Sequence, residues 1–365
     1  MKITDVKATV IEVDNAYRPG QGQKAISNFI QVFTDEGIEG RVLTDRGPFG
    51  EGRARPISEA IIEQYKPMIV GRDALDRELL WEMMVARSFG GTMMFAVGAI
   101  DLCLWDIAGK KAGLPLYKML GGYRDKIRAY ASIFSFDSPG GYADYAEKMA
   151  AKGYAGVKLH LRGTYKDHIA AARAVREAVG EKVECFFDAN CRYDRRTALI
   201  VGRELEKLNY YWYEEPLPNS DIEGLRELCQ VLDIPISATE EFFHAQPAHY
   251  TPYLVQHATD IMRTDVLLGL TLAKKVTDMC DAFHVKCEPE GWGPATGQFA
   301  TLHLAGCCRN TEFFEKTEPG EAYDVCVKNP VKIDKEGLVH MPTQPGLGLE
   351  FDLNEIKKRK LVTFE

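Results

Sequence analysis

The stretch VECFFDANCRYDRRTALIVGRELEKLNYYWYEEPL, residues 183–217, holds one full step of the design that decides the fold. It opens with a short β-type run ending in Asp188. In RTALIVGRELEKLN apolar residues recur three and four apart, as on a helix, and the chain then returns to a second β-type run ending in Glu214. A strand, a helical crossover and another strand make a parallel βαβ unit. Outward from it, Asp188, Glu214, Glu241, Asp265, Glu290 and Glu315 stand at gaps of 26, 27, 24, 25 and 25 residues, each at the end of a short apolar run. A (β/α)8 barrel gives this period when acidic groups gather on the face formed by the carboxyl ends of its strands, where such barrels carry their active sites.

From Lys126 onward eight such runs occur: IRAYASIF, AGVKLHL, VECFFDAN, YYWYEEPL, PISATEEF, DIMRTDV, VKCEPE and TEFFEK. Helical patterns separate them, and the segment between Phe243 and Asp260, with two prolines, reads as a poorer helix. Before Lys126 come the β-type segments ITDVKATVIEV and SNFIQVFTD and then helical patterns without alternation, which suits an α+β domain. After about Glu318 the chain breaks into short strand and turn patterns. The expected fold is α/β, a (β/α)8 TIM-type barrel with an α+β N-terminal capping domain completed by the C-terminal tail. The expected domains are residues 1–125 for the cap, 126–320 for the barrel and 321–365 for a segment returning to the cap.

The 365 residues suit a barrel of about 250 residues with a smaller companion domain. With 45% apolar and 27% charged residues and a net charge of −8, there is no electrostatic footprint for nucleic acid or an acidic membrane surface. Nine cysteines, an odd number without CxxC spacing, read as buried thiols of a reducing compartment. The N-terminus alternates like a strand instead of carrying a signal peptide's apolar core, and no run of about 18 apolar residues occurs. The expected location is cytoplasmic.

Asp188, Glu214 and Glu241 end three consecutive strands and would lie side by side on the barrel mouth. Carboxylates that close repel one another unless a cation neutralises them, and oxygen-only ligands favour Mg2+. The plain alternative is three solvated charges at strand ends. Glu240 adjoins Glu241, and alternation turns only one of the two inward. Lys158 and His160 are one residue apart on a strand and so share a face, as do Glu288 and Glu290.

The chain resembles the enolase superfamily, within it the mandelate racemase-like group (mandelate racemase/muconate lactonizing enzyme). The resemblance runs through AVGAIDLCLWDIAGKKAGLPLYKMLGG at 96–122, GVKLHL, the FFDAN ending at Asn190, WYEEP at 212–216, the ATEEF ending at Phe242, the DIMRTD ending at Asp265, and PGLGLEFD at 345–352. It implies that Asp188, Glu214 and Glu241 bind Mg2+, although the residue before the third ligand is usually small and here is Glu240. It implies that His160 is the base that removes the proton beside the substrate carboxylate, with Lys158 its electrostatic partner. Asp265 stands where relatives keep an Asp that orients a His at the end of the next strand, but this chain has Glu290 there. Glu290 is then an acid or base, a contact to substrate hydroxyls, or a structural group, and His160 alone could carry a syn elimination. Glu315 would donate to the substrate carboxylate or support the site from behind, and Asn190 would touch substrate or metal water. Two loops, about Asn15–Lys24 and Arg46–Arg55, would cover the mouth, with Arg18 a candidate substrate contact and a solvated loop residue its plainer reading.

The function expected is a Mg2+-dependent dehydratase of a sugar acid or related 2-hydroxy carboxylate, acting through α-proton abstraction and an enediolate. The alternatives are an epimerase, racemase or cycloisomerase of a carboxylate, and a carboxylate-binding protein without turnover. The expected partner is a small-molecule carboxylate, with no nucleic acid and no membrane, and the chain is expected to form a homo-oligomer.

Overall fold

The computed structural model describes residues 1–14, 24–44, 51–88, 92–240 and 246–365. Strands β1 (Ile3–Asp14), β2 (Lys24–Thr34) and β3 (Glu39–Thr44) form an antiparallel meander. Eight strands then run parallel: β4 (Lys126–Ile133), β5 (Gly156–His160), β6 (Glu184–Asp188), β7 (Trp212–Glu214), β8 (Ile236–Ala238), β9 (Ile261–Asp265), β10 (Lys286–Glu290) and β11 (Phe313–Glu318). They follow one another from β4 to β10 in chain order, and β11 pairs with β4 on its free side, which brings the sheet round into a nearly closed barrel. The short β12 (Leu338–His340) runs antiparallel to β4, and the last strand, β13 (Lys360–Phe364), pairs with β1.

Register fixes which side chains share the interior. Lys158 lies beside Phe186, His160 beside Asp188, and Asp188 beside Glu214, so residues two apart on each strand point into the barrel in matched layers. The lower layer is Tyr130, Phe186, Trp212, Ile261 and Phe313, all buried, with the Phe186 and Trp212 rings 4.1 Å apart. This plug closes the barrel's floor and leaves the mouth as the open end. The alternate residues, such as Val157, Leu159, Cys185 and Phe187, pack outward into the main core beneath the surrounding helices. The segment with two prolines forms the helix Pro247–Val255, with Pro247 in the first turn, where no backbone N–H is required.

Helix Thr92–Ala112 joins the two domains. It is apolar on nearly every side, as a helix packed between two layers must be, with Met94, Val97, Ile100, Leu104 and Ile107 all buried. Gly98 is required there, because a Cβ at that position would lie 2.0 Å from the Leu267 carbonyl oxygen on the barrel. Among the described residues no helix is long and apolar enough to cross a membrane.

Candidate active site

The mouth collects charge just above the aromatic plug. Asp188 ends β6 and Glu214 ends β7, and with Glu240, just beyond β8, they form a buried group whose ligand oxygens all lie within 4.8 Å of one another. Glu240 is the third carboxylate of this group; Glu241, expected in that role, lies outside the described residues. The physical reason is local. Strict alternation from the inward Ser237 would turn Thr239 and Glu241 inward, but β8 ends at Ala238 and Thr239 has φ of 84°, which breaks the period and brings Glu240 in. The sequence held a signal for this, since taking Glu240 makes the carboxylate intervals 26, 26, 25, 25 and 25.

Lys158 rises through the centre of this group, fully buried. Its Nζ is 3.1 Å from Glu214 Oε1, 2.8 Å from Glu315 Oε1, and 3.8 Å from both Asp188 Oδ2 and Glu240 Oε2. Burial alone would lower its pKa, but Glu214 and Glu315 outweigh burial and hold the ammonium well above its ordinary range. Sequence reasoning passed over a second buried cation, Arg263, although it lies two residues before Asp265 and so on the same inward face. Its guanidinium meets Glu214, Glu240 and Glu315.

The carboxylates respond unequally to this environment. Glu214 is pushed well above its ordinary range, first by burial and then by Asp188 and Glu240, which Arg263 and Lys158 offset only in part. Burial also pushes Glu315 up, but Lys158 and Arg263 prevail and hold it at about 2. Glu315 accepts from the Tyr130 hydroxyl at 2.8 Å and is also in contact with Lys158 and Arg263. Trp212 Nε1 donates to Glu214 Oε2 at 2.9 Å, so the plug also orients a ligand of the group above it.

His160 stands at the rim, its side chain 17% exposed where Lys158 is fully covered. Its Nδ1 is 2.9 Å from the Ile133 carbonyl oxygen, which can only accept, so the neutral ring carries its proton on Nδ1 and leaves Nε2 facing the site. Nε2 is 3.2 Å from Asp188 Oδ2. Asn190, with φ of 48°, folds back and donates to Asp188 twice, from its backbone at 2.8 Å and from Nδ2 at 3.0 Å. It therefore holds the carboxylate, while its Oδ1 accepts from Arg192 at 3.3 Å.

On the far side, Asp265 and Glu290 are register partners on β9 and β10. Asp265 Oδ1 accepts from the Leu267 backbone at 2.8 Å, and Glu290 Oε2 from the Trp292 backbone at 2.5 Å. Glu288, one layer down, accepts from the Glu312 and Phe313 backbones at 2.8 and 3.1 Å. Trp292 turns its ring toward His160, centroids 5.8 Å apart, and packs with Phe134 and Tyr323 into an aromatic wall that sequence reasoning missed. No spacing rule points to it, because its members come from three distant segments. His303, buried in the helix after β10, accepts from the Tyr117 backbone at 3.1 Å and contacts the Leu347 carbonyl oxygen at 3.0 Å, away from the mouth. Arg18, with nearly all of the first expected covering loop and the first half of the second, lies outside the described residues, and the rest of the second opens the helix Glu51–Glu59.

Three oxygen-donor carboxylates, buried and within reach of one ion, fit a hard divalent cation. The charge count agrees. Ionised, as ligands of a cation must be, Asp188, Glu214 and Glu240 bring with Glu315 four negative charges against two positive ones from Lys158 and Arg263, a deficit that one divalent cation closes.

Comparison with known proteins follows the same lines. Residues 141–356 match the family model described as enolase C-terminal domain-like, and residues 6–121 match the mandelate racemase / muconate lactonizing enzyme N-terminal domain. The chain is 30% identical over 323 residues to arabinonate dehydratase of Saccharolobus solfataricus, covering 82% of this chain and 83% of the relative. It is 26% identical over 385 aligned positions to D-xylonate dehydratase of Haloferax volcanii, covering 98% and 88%. The crystal structure of D-glucarate dehydratase from Agrobacterium tumefaciens complexed with magnesium superposes with a TM-score of 0.88 at 32% identity, covering 99% of this chain and all of that one.

Proposed function

Because the chain belongs to the mandelate racemase/muconate lactonizing enzyme group of the enolase superfamily, we propose that it is a Mg2+-dependent sugar-acid dehydratase, with His160 as its base. The relatives named for dehydration of arabinonate, xylonate and glucarate support the reaction class. The observation that carries the assignment is the pairing on β5, where Lys158 Nζ lies 3.1 Å from Glu214 and His160 Nε2 lies 3.2 Å from Asp188.

Asp188, Glu214 and Glu240 would hold the ion. When bound, Mg2+ supplies the positive charge that stabilises the second negative charge a carboxylate acquires as its α-proton leaves. Lys158, fixed beneath by four carboxylates, adds a second positive charge on the same side. His160 takes the α-proton on Nε2, while the Ile133 carbonyl oxygen, 2.9 Å from Nδ1, holds the ring in place. The C–H electron pair becomes the new double bond, the β C–O bond breaks, and the departing hydroxide takes the proton from His160 as water. The enol product then tautomerises to a 2-keto-3-deoxy acid.

Glu290 favours a second reading. It is a buried carboxylate on β10, and the Trp292 ring two residues on reaches His160, so an acid from that strand could protonate the opposite face of the enediolate and give epimerisation or cycloisomerisation. Incubation with Mg2+ and a panel of sugar acids in heavy water separates the readings. Dehydration yields 2-keto acid, and His160→Asn abolishes both product and α-deuterium exchange. Exchange without water loss would establish the isomerase. Ligand-induced rises in melting temperature with neither product nor exchange would leave a binding protein.

A further inference from the structure

Arg263 sits fully buried at the middle of β9, in the barrel interior, and its guanidinium is wholly engaged. Nε is 3.1 Å from Glu214 Oε1, one terminal nitrogen is 3.1 Å from Glu240 Oε2 and also bonds Glu315, and the other is 3.3 Å from the Tyr130 hydroxyl. Two of its three carboxylate partners are therefore the proposed ion ligands, and they come from different strands. Glu240 lies past the end of β8, beyond the regular ladder, and forms ion pairs with Arg263 and Lys158.

We propose that Arg263 is a positioning residue that sets the affinity of the cation site, a built-in counter-cation that clamps Glu214 and Glu240 and limits the charge left for the ion to two. The inference rests on the reading of Asp188, Glu214 and Glu240 as ion ligands. A rigid planar fork suits this role because it bridges several carboxylates while staying charged at any working pH. Its charge also repels the incoming ion at short range in a buried site, where such interactions are large, so the cation is held less tightly than three bare carboxylates would hold it.

The experiment is titration calorimetry of the full-length protein with Mg2+ alone, with thermal melts with and without Mg2+ on the same samples. In Arg263→Gln the deficit becomes three charges, and Mg2+ binds about tenfold or more tighter than in the wild type. This variant melts lower without Mg2+, and Mg2+ raises its melting temperature by more than in the wild type. Arg263→Lys keeps the charge and loses the fork, so it shows no tightening, and its affinity falls at or below that of the wild type as Glu214 and Glu240 are held less firmly. Unchanged or weaker Mg2+ binding in the Gln variant overturns the proposal, as does an equal shift in both variants. A wild type that binds no Mg2+ overturns the ion-site reading itself, whereas a wild type that binds normally with no tightening in the Gln variant removes this inference alone.

Discussion

Lys158 shows at the scale of one residue what this site costs to build. A cation with no exposed surface survives only because carboxylates surround it, and removing one partner of such a group leaves charges buried without compensation. The unequal response of Glu214 and Glu315 follows from their neighbours. Glu214 feels both Asp188 and Glu240 and is driven upward, whereas Glu240 is the chief like charge at Glu315 and the two cations dominate there. Lys158→Met keeps the side chain's length and removes its charge. Urea unfolding should show a loss of about 3–5 kcal/mol, and turnover should fall by a factor of about 100 or more. A stability change below about 1 kcal/mol would mean that the carboxylates share protons well enough to need no lysine.

Individual strands show how far the sequence could be read. The eight barrel strands were legible because each is a short apolar run with a crossover pattern behind it, and β5 showed its Lys158 and His160 pair by alternation alone. Arg263 obeyed the same rule, but a search for acids at strand ends passes over a cation one step inside. Glu240 was hidden for a different reason. Alternation is a property of the strand, and β8 is only three residues long, so the backbone beyond it answers to its own hydrogen bonds. Thr239 is held at its positive φ by Asn219, whose Oδ1 accepts from the Thr239 backbone at 3.0 Å while Nδ2 donates to Glu215 Oε1 at 2.7 Å. The Thr239 hydroxyl also donates to the Arg263 carbonyl oxygen at 2.7 Å. A β-branched residue in this conformation needs such support. Asn219→Ala should therefore cost about 1–3 kcal/mol and weaken Mg2+ binding, because Glu240 loses its fixed approach. Calorimetry showing wild-type affinity in this variant would mean that Arg263 places Glu240 without help from the loop.

At the scale of the whole molecule, the cap and barrel are joined through a buried charge. Asp101, on helix Thr92–Ala112, accepts from the Thr271 backbone at 3.0 Å and from its hydroxyl at 2.6 Å, in the first turn of the barrel helix Leu270–Ala282. Two hydrogen bonds and the favourable end of a helix should hold a carboxylate ionised. Burial prevails, however, and Asp101 is pushed up to about 6 from an ordinary 3.8, with Thr271 and Arg77 pulling the other way. An acid whose pKa is raised by folding binds its proton more tightly in the folded state, so its contribution is fully present below about pH 4 and is lost as pH rises through about 6. The span corresponds to at most about 3 kcal/mol. Asp101→Asn cannot titrate, and its carbonyl oxygen keeps one of the two Thr271 bonds. Urea unfolding at pH 4 and pH 7 should therefore show the wild type losing stability relative to this variant as the pH rises, by about 1–3 kcal/mol. A difference that stays constant across that range would mean that Asp101 is ionised throughout, with the helix end and Arg77 outweighing its burial.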